Sequence, residues 1–199
     1  MAAITFPNIT PEVQDFGIRY NTQVSSSNIS GVTQRVELPG ARWVGSLSFR
    51  DLTVAEAAAL KTFMLELRGS AGTFLFGDLS HTSPFTTVTG SPTIEATSTR
   101  RVIRTTVGSG SFSPGDYIQI GTDDSRELKM VISSTLVSGN QYDLTIEPMI
   151  RRQTYIGQSI VYTNPKGVFF LAESDQAKWS TRSKAQLQDI NLDFIEVFS

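Results

Sequence analysis

The clearest hydrophobic pattern in the chain is a helical one, in the stretch LTVAEAAALKTFMLELRG. Thr53 and Glu56 form a capping-box pair, in which each side chain satisfies a free backbone N–H at the helix start. Gly69 lies where a left-handed cap belongs, just after Arg68, whose charge suits the negative end of a helix. The pattern predicts a helix over residues 53–68. Its apolar stripe has helical spacing and comprises Ala57, Leu60, Phe63, Met64 and Leu67.

Most other apolar positions alternate with polar ones, which indicates half-buried strands. The segments EVQDFGIRYNTQVSS and GVTQRVEL are predicted as two strands with a loop between them, and NPKGVFFLAES as a buried strand. RWVGSLSFR and INLDFIEVF alternate most regularly. Because the helix has one apolar face, we expect it to pack across a sheet that contains Trp43 and Phe49. The inward positions of these two strands are Trp43, Leu47, Phe49, Ile190, Leu192 and Phe194.

The composition changes near Ser80, where Ser, Thr, Pro and Gly dominate and a loop is predicted. Short strands at spacings near ten residues follow, a pattern typical of a small barrel or sandwich. We therefore predict a mainly β protein: a discontinuous β-sandwich made of residues 1–82 and 166–199 with one long helix, carrying a small inserted β-barrel or β-sandwich at 83–165. The inserted core is expected to hold Ile118, Leu128, Ile132, Leu144 and Ile146.

Composition narrows the function classes. Charged residues make up only 18% of the 199 residues, below the usual level of about 25%, and such a surface often has neighbours covering part of it. A net charge of −2 gives no general attraction to nucleic acid or anionic membrane. The absence of cysteine excludes disulfides and thiolate metal sites. The start of the chain lacks signal-peptide features and no stretch is apolar enough to span a membrane, so synthesis in a cytoplasm is expected.

The residue types that carry chemistry are sparse. His81 is the only histidine, and it lies in a Ser/Thr-rich loop without a nucleophile-elbow motif. Asp123, Asp124 and Glu127 are close in sequence but lack the ligand spacing and central glycine of an EF-hand, so a solvated turn is the preferred interpretation over a calcium site. We therefore predict no catalytic, cofactor-binding or metal-binding residues, no cofactor, and no enzymatic activity.

Five arginines form the one notable charge cluster, and two interpretations of it stay open. They could belong to a solvated strand edge, or they could contact an acidic protein partner. The residues are Arg100, Arg101, Arg104, Arg151 and Arg152.

A resemblance joins these pieces. The strand with Trp43 and Gly45, followed by LTVAEAAALKTFMLELRGSAGTFLFGD, resembles minor tail proteins of long-tailed, non-contractile bacteriophages. In that family a helix of the pattern T-x-A-E-x-x-x-L-x-x-F-x-x-x-L-R-G leads directly into G-T-F-L-x-G-D. FSPGDYIQIG, LTIEPMIRR, NPKGVFFLAESDQAKW and the terminal FIEVF are similar to the second half of the same proteins. The nearest role within the family is that of the distal tail protein.

The resemblance implies a structural protein of the virion, located at the tail tip after synthesis in the host cytoplasm. Such proteins form a ring, usually hexameric, that joins the tail tube to the tip. The implied partners are further copies of the chain, the tail tube protein, the tail hub and tip proteins and, as a further candidate, the tape-measure protein. Two alternatives stay open: a tail tube or tube-terminator subunit, and, from another class, a carbohydrate- or receptor-binding β module.

Overall fold

The computed structural model describes residues 2–152, 154–181 and 188–198. Residues 1, 153, 182–187 and 199, which the predicted domain ranges include, lie outside the described residues. The described chain is mainly β, with two sheets and one α-helix, so the predicted fold class is confirmed.

The described part of the chain contains twelve strands and the helix α1 (Val54–Leu67). Two short 3₁₀ turns, Gly69–Ala71 and Asp123–Ser125, complete the regular elements. In chain order the strands are β1 (Ile4–Thr5), β2 (Val13–Ser26), β3 (Thr33–Phe49), β4 (Phe74–Phe76), β5 (Val102–Thr106), β6 (Tyr117–Ile120), β7 (Glu127–Ser138), β8 (Gln141–Glu147), β9 (Ile160–Val161), β10 (Gly167–Leu171), β11 (Ser180–Thr181) and β12 (Gln188–Glu196).

The two sheets divide the strands between the ends and the middle of the chain. The first sheet has the order β1-β4-β10-β12-β3-β2, with β11 paired to β12, and the second has the order β5-β8-β7-β6-β9. The chain leaves and re-enters the first sheet at neighbouring points, because Gly167 pairs with Phe76 and the Asn164 N–H donates to the Thr82 carbonyl at 2.7 Å. The division into two domains at residues 82 and 166 stays a prediction.

Helix α1 begins as its sequence predicts. Thr53 accepts a hydrogen bond from the Glu56 backbone N–H, and the Glu56 carboxylate accepts one from the Thr53 N–H at 3.0 Å. The predicted position of the left-handed cap is one residue late: Arg68 itself has φ +52° and closes the helix, and Gly69 continues in the left-handed region at φ +69°.

The first core lies between α1 and the inner face of the first sheet. The predicted burial of Leu60, Phe63, Met64 and Leu67 with Trp43 and Phe49 is confirmed. Aromatic rings fill the space: Phe169 and Phe194 meet edge to face with centroids 5.2 Å apart. Such ring pairs add to the free energy gained by burial alone.

The second core lies within the second sheet, and part of its predicted composition is wrong. Ile118, Leu144 and Ile146 are buried there, but Leu128 belongs to the first core and Ile132 is 47% exposed. Strand β6 and the first residues of β7 are buried on both faces, and Leu128 packs with residues of the first sheet. Val131 holds the buried position in the second core, and its neighbour Ile132 has no ladder partner at a bulge between residues 131 and 133.

Candidate assembly arm and arginine pocket

The outer halves of β2 and β3 form a projecting hairpin, residues 20–38, which we call the arm. Its residues pair only with each other, from Asn21 with Leu38 to Ser26 with Thr33. Strand β12 pairs with β3 only from Val44 to Phe49, and β2 is the last strand of the sheet. Within the described residues, both edges of the arm therefore carry unpaired backbone groups.

The arm exposes apolar side chains on both faces. Val24 is 62% exposed and Ile29, at the turn, is 100% exposed. Val36 and Arg35 lie on neighbouring positions of β3, opposite Gln23 and Val24, so neither face of the ladder is fully polar. A two-stranded hairpin of this kind is marginally stable by itself in water. The exposed apolar residues of the arm are Tyr20, Val24, Ile29, Val32, Val36 and Leu38.

A break in the ladder separates the arm from the rest of the first sheet. The regular register stops at Arg19–Arg42 and resumes at Asn21–Leu38, so Tyr20 faces a longer stretch of β3. That stretch contains Pro39, which has no N–H to donate, and Gly40, which has φ +127°. Since this φ favours glycine, the sequence Pro-Gly sets the direction in which the arm leaves the sheet.

One ion pair ties the arm to the second sheet. The Arg101 guanidinium lies 2.6 Å from Glu37 of the arm and 3.1 Å from Glu147 at the end of β8. All three side chains are partly solvated, so these ion pairs contribute little to the free energy of folding. Their main effect is on the orientation of the arm.

A pocket of about 630 Å³ opens at the base of the arm. It forms where the arm, the first sheet and the second sheet meet, since its walls come from β2, β3, the ends of β5 and β8, and the residues after β12. The lining residues are Arg19, Tyr20, Asn21, Pro39, Gly40, Ala41, Arg42, Arg100, Met149, Ile150, Arg151 and Phe198.

The pocket is strongly cationic. In the described part of the chain, Arg19, Arg42 and Arg100 have no carboxylate within ion-pair distance, whereas Arg151 lies 2.5 Å from Glu196. Burial, followed by the charges of Arg19 and Arg151, lowers the pKa of Arg42. The shift leaves the guanidinium protonated at neutral pH, because the ordinary pKa of arginine is so high. Three guanidinium groups without an ion-pair partner among the described residues therefore line one cavity.

Phe198 holds two of these arginines in place. The guanidinium carbon of Arg151 lies 4.1 Å from the ring centroid, and that of Arg42 lies 4.5 Å from it. Arg151 also donates to the backbone carbonyls of Ala41 at 2.9 Å and Val197 at 3.2 Å. The cationic side of the pocket is thus partly ordered before any ligand arrives.

Beneath the pocket lies a buried ionic network that joins the two sheets. Lys129, which is 0% exposed, contacts Glu127 at 2.8 Å, and Glu127 also accepts the Arg151 N–H at 3.1 Å. Burial alone would raise the pKa of Glu127, but Lys129 and the hydrogen bonds outweigh it and the pKa is lowered. Burial lowers the pKa of Lys129. Across the junction, the Trp43 indole donates to the Leu128 carbonyl at 2.8 Å.

The structure divides the predicted arginine cluster. Arg100 and Arg151 line the pocket, Arg101 binds the arm, and Arg104 forms a two-pronged pair with Asp143 at 2.7 Å for each hydrogen bond. The Arg152 N–H donates to Glu127 at 3.2 Å.

The sequence analysis missed Arg19 and Arg42. They come directly opposite each other only through the β2–β3 register, and no local motif marks that pairing.

The other candidates are not brought together. His81 Nε2 lies 3.2 Å from the buried Asp116 carboxylate and its ring packs on Phe85, and among the described residues no serine hydroxyl is hydrogen-bonded to it. Asp124 accepts the Ala3 N–H at 2.7 Å, while Glu127 turns inward to Lys129. The described ranges contain no group of three or more His, Cys, Asp or Glu side chains suited to a metal ion.

The chain matches no protein-family model and no curated protein sequence. In the described part of the chain, α1 is too short to cross a membrane, and no other helix there meets the length and apolarity that a span requires.

Proposed function

We propose that the chain is a structural subunit of a bacteriophage tail tip, where copies of it form a ring that joins the tail tube to the tip. The resemblance in the helix–strand stretch 53–78 suggests this role, and a hexamer is the expected ring. The proposed neighbours are the tail tube protein and the hub and tip proteins. The proposed role requires no catalysis.

The observation that carries the proposal is the arm. An open-edged hairpin with exposed apolar side chains on both faces is a liability for a free subunit, because it can pair with any other strand. In an assembly the same features become useful: an added strand satisfies the backbone groups, and apolar contacts on either face supply affinity.

A repeated head-to-tail contact explains a closed ring. The arm presents two different edges, those of β2 and β3, so an arm-to-neighbour contact need not be symmetric. Heterologous contacts of one kind close into a ring when the rotation between copies permits it. Each interface is expected to exceed the roughly 1,000 Å² of buried surface that marks a specific contact.

The test measures assembly with and without the apolar arm. Light scattering and negative-stain electron microscopy would be applied to the intact chain and to the double variant Val24→Asp, Val36→Asp. We expect rings from the first and monomers from the second. The control is Leu136→Asp on β7, because Leu136 is 58% exposed and lies outside the arm. Its ring should persist.

A second test asks where the chain lies in the virion. Antibody labelling of virions should decorate the junction of tube and tip. A virion whose tail lacks the chain would contradict the proposal, and so would a hydrolase activity that is abolished by changing His81.

A further inference from the structure

The arginine pocket is built from parts of the chain that are far apart in sequence. Arg19 and Arg42 come from the first sheet, and Arg100 comes from the segment before β5. None of the three has a carboxylate within ion-pair distance among the described residues. The nearby carboxylates of Glu196 and Glu37 form ion pairs with Arg151 and Arg101. The fold thus brings positive charges together and gives the neighbouring negative charges to other partners.

Like charges in one cavity repel each other, so an anion that entered would relieve the repulsion. Guanidinium groups are planar forks that match carboxylates and phosphates with paired hydrogen bonds. The Phe198 ring fixes Arg42 beforehand, which lowers the entropy cost of binding.

We propose that this pocket binds an acidic peptide segment of a protein partner, with its carboxylates on Arg19, Arg42 and Arg100. Tyr20, Pro39 and Met149 line the same cavity and supply an apolar wall for a side chain between the carboxylates. The chemical class recognised is therefore a short stretch that mixes glutamate or aspartate with apolar residues.

The surroundings favour such a peptide over nucleic acid. The cationic groups are few and confined to one cavity of about 630 Å³. A nucleic acid would need an extended basic track. The whole chain has a net charge of −2, which gives no general attraction to nucleic acid.

The pocket is complete within one chain, so its ligand can be tested independently of the ring. The probe is a fluorescent hexapeptide of glutamate and leucine, and its uncharged match has glutamine in place of glutamate. Fluorescence anisotropy would be measured on the monomeric Val24→Asp, Val36→Asp form, or on the intact chain where light scattering finds monomers. We expect the glutamate peptide to bind at least tenfold more tightly than the glutamine peptide, and more weakly as salt is raised.

Charge reversal locates the site. Arg100→Glu and Arg19→Glu alter exposed side chains and are expected to weaken binding at least tenfold, or about 1.4 kcal/mol. The control is Arg50→Glu, which makes the same charge change one residue beyond β3, about 26 Å from Arg42 at the usual strand rise. Arg50 pairs with the exposed Glu12 at 3.5 Å, and a pair of this kind contributes little to stability. Its affinity should stay within twofold. Thermal unfolding followed by circular dichroism would verify that each variant is folded.

Each contrary result overturns the inference in its own way. Equal weakening by Arg50→Glu would show general charge attraction without a site. Equal binding of the glutamine peptide would exclude carboxylate recognition. Displacement of the peptide by inorganic phosphate or single-stranded oligothymidine at a lower concentration than by unlabelled peptide would make the pocket a phosphate site. None of these outcomes depends on whether rings form.

Discussion

The two halves of the β2–β3 ladder are built from the same strands and yet differ in everything that surrounds them. In the inner half, the inward side chains Trp43, Leu47 and Phe49 pack in one core with α1 and are at most 2% exposed. In the outer half, Val24 and Val36 are 62% and 50% exposed. The Pro39–Gly40 break marks the boundary between them.

The comparison shows that strand pairing and burial contribute separately to the stability of a strand pair. The inner half has β12 beside it and a helix above it, so the hydrophobic effect favours its position. Among the residues that the structure describes, the arm is held by its own ladder and by one ion pair. Its exposed apolar side chains can be buried by contacts with other molecules, which is why we propose this half as the assembly surface.

The largest expected effect concerns the buried charges of the inner region. Glu127→Gln removes the carboxylate that pairs with the buried Lys129, and breaking a buried pair in this way costs about 3–5 kcal/mol. Urea unfolding at pH 7 would measure the loss. Asp143→Asn makes the same chemical change in a partly solvated pair and should cost no more than about 1 kcal/mol. Equal costs would contradict the assigned burial.

The same variant predicts a pH dependence. Because the pKa of Glu127 is lowered in the folded state, its stabilisation is complete above its ordinary pKa of 4.5 and is lost as the pH falls through the folded value. The stability difference between the intact chain and Glu127→Gln should therefore shrink below about pH 4.5. A difference that stays constant down to pH 2 would mean that this carboxylate is not paired.

The next effect compares the two sides of α1. Leu60→Ala removes a side chain that is 0% exposed and should cost about 2–5 kcal/mol through lost burial and a residual cavity. Leu65→Ala, on the 61% exposed side of the same helix, is the matched control and should change stability by less than about 0.5 kcal/mol. Similar values for the two would mean that the helix is not seated on the sheet as described.

The smallest effect belongs to the arm and sharpens the comparison most directly. Val36→Thr keeps the side-chain shape and should leave the unfolding free energy of the monomer within about 0.5 kcal/mol. Val131→Thr places the same hydroxyl at a position that is 0% exposed and should cost about 1–3 kcal/mol. Thermal unfolding of monomeric protein would check both, and a large loss from Val36→Thr would show that the arm is already buried within the chain.

Some of this molecule could be predicted from local sequence because the causes are local. The capping box at Thr53, the apolar stripe of α1 and the alternation from Ile190 to Phe194 each depend on residues only a few positions apart. Helical and strand periodicities place such residues on one face whatever the rest of the chain does. Ile132 departs from the predicted pattern at a bulge in β7, and no periodicity of the sequence marks that bulge.

The arm and the pocket were decided by tertiary structure. The stretch from Asn21 to Leu38 has an ordinary strand composition. It is uncovered because the pairing of β12 with β3 stops at Val44. The pocket requires Arg19 to meet Arg42 across a ladder and both to meet Arg100 across a sheet junction. Sequence sets which groups can be charged or apolar, because that is chemistry of single residues. Which of them share a cavity depends on contacts between distant segments, and those exist only once both sheets have packed.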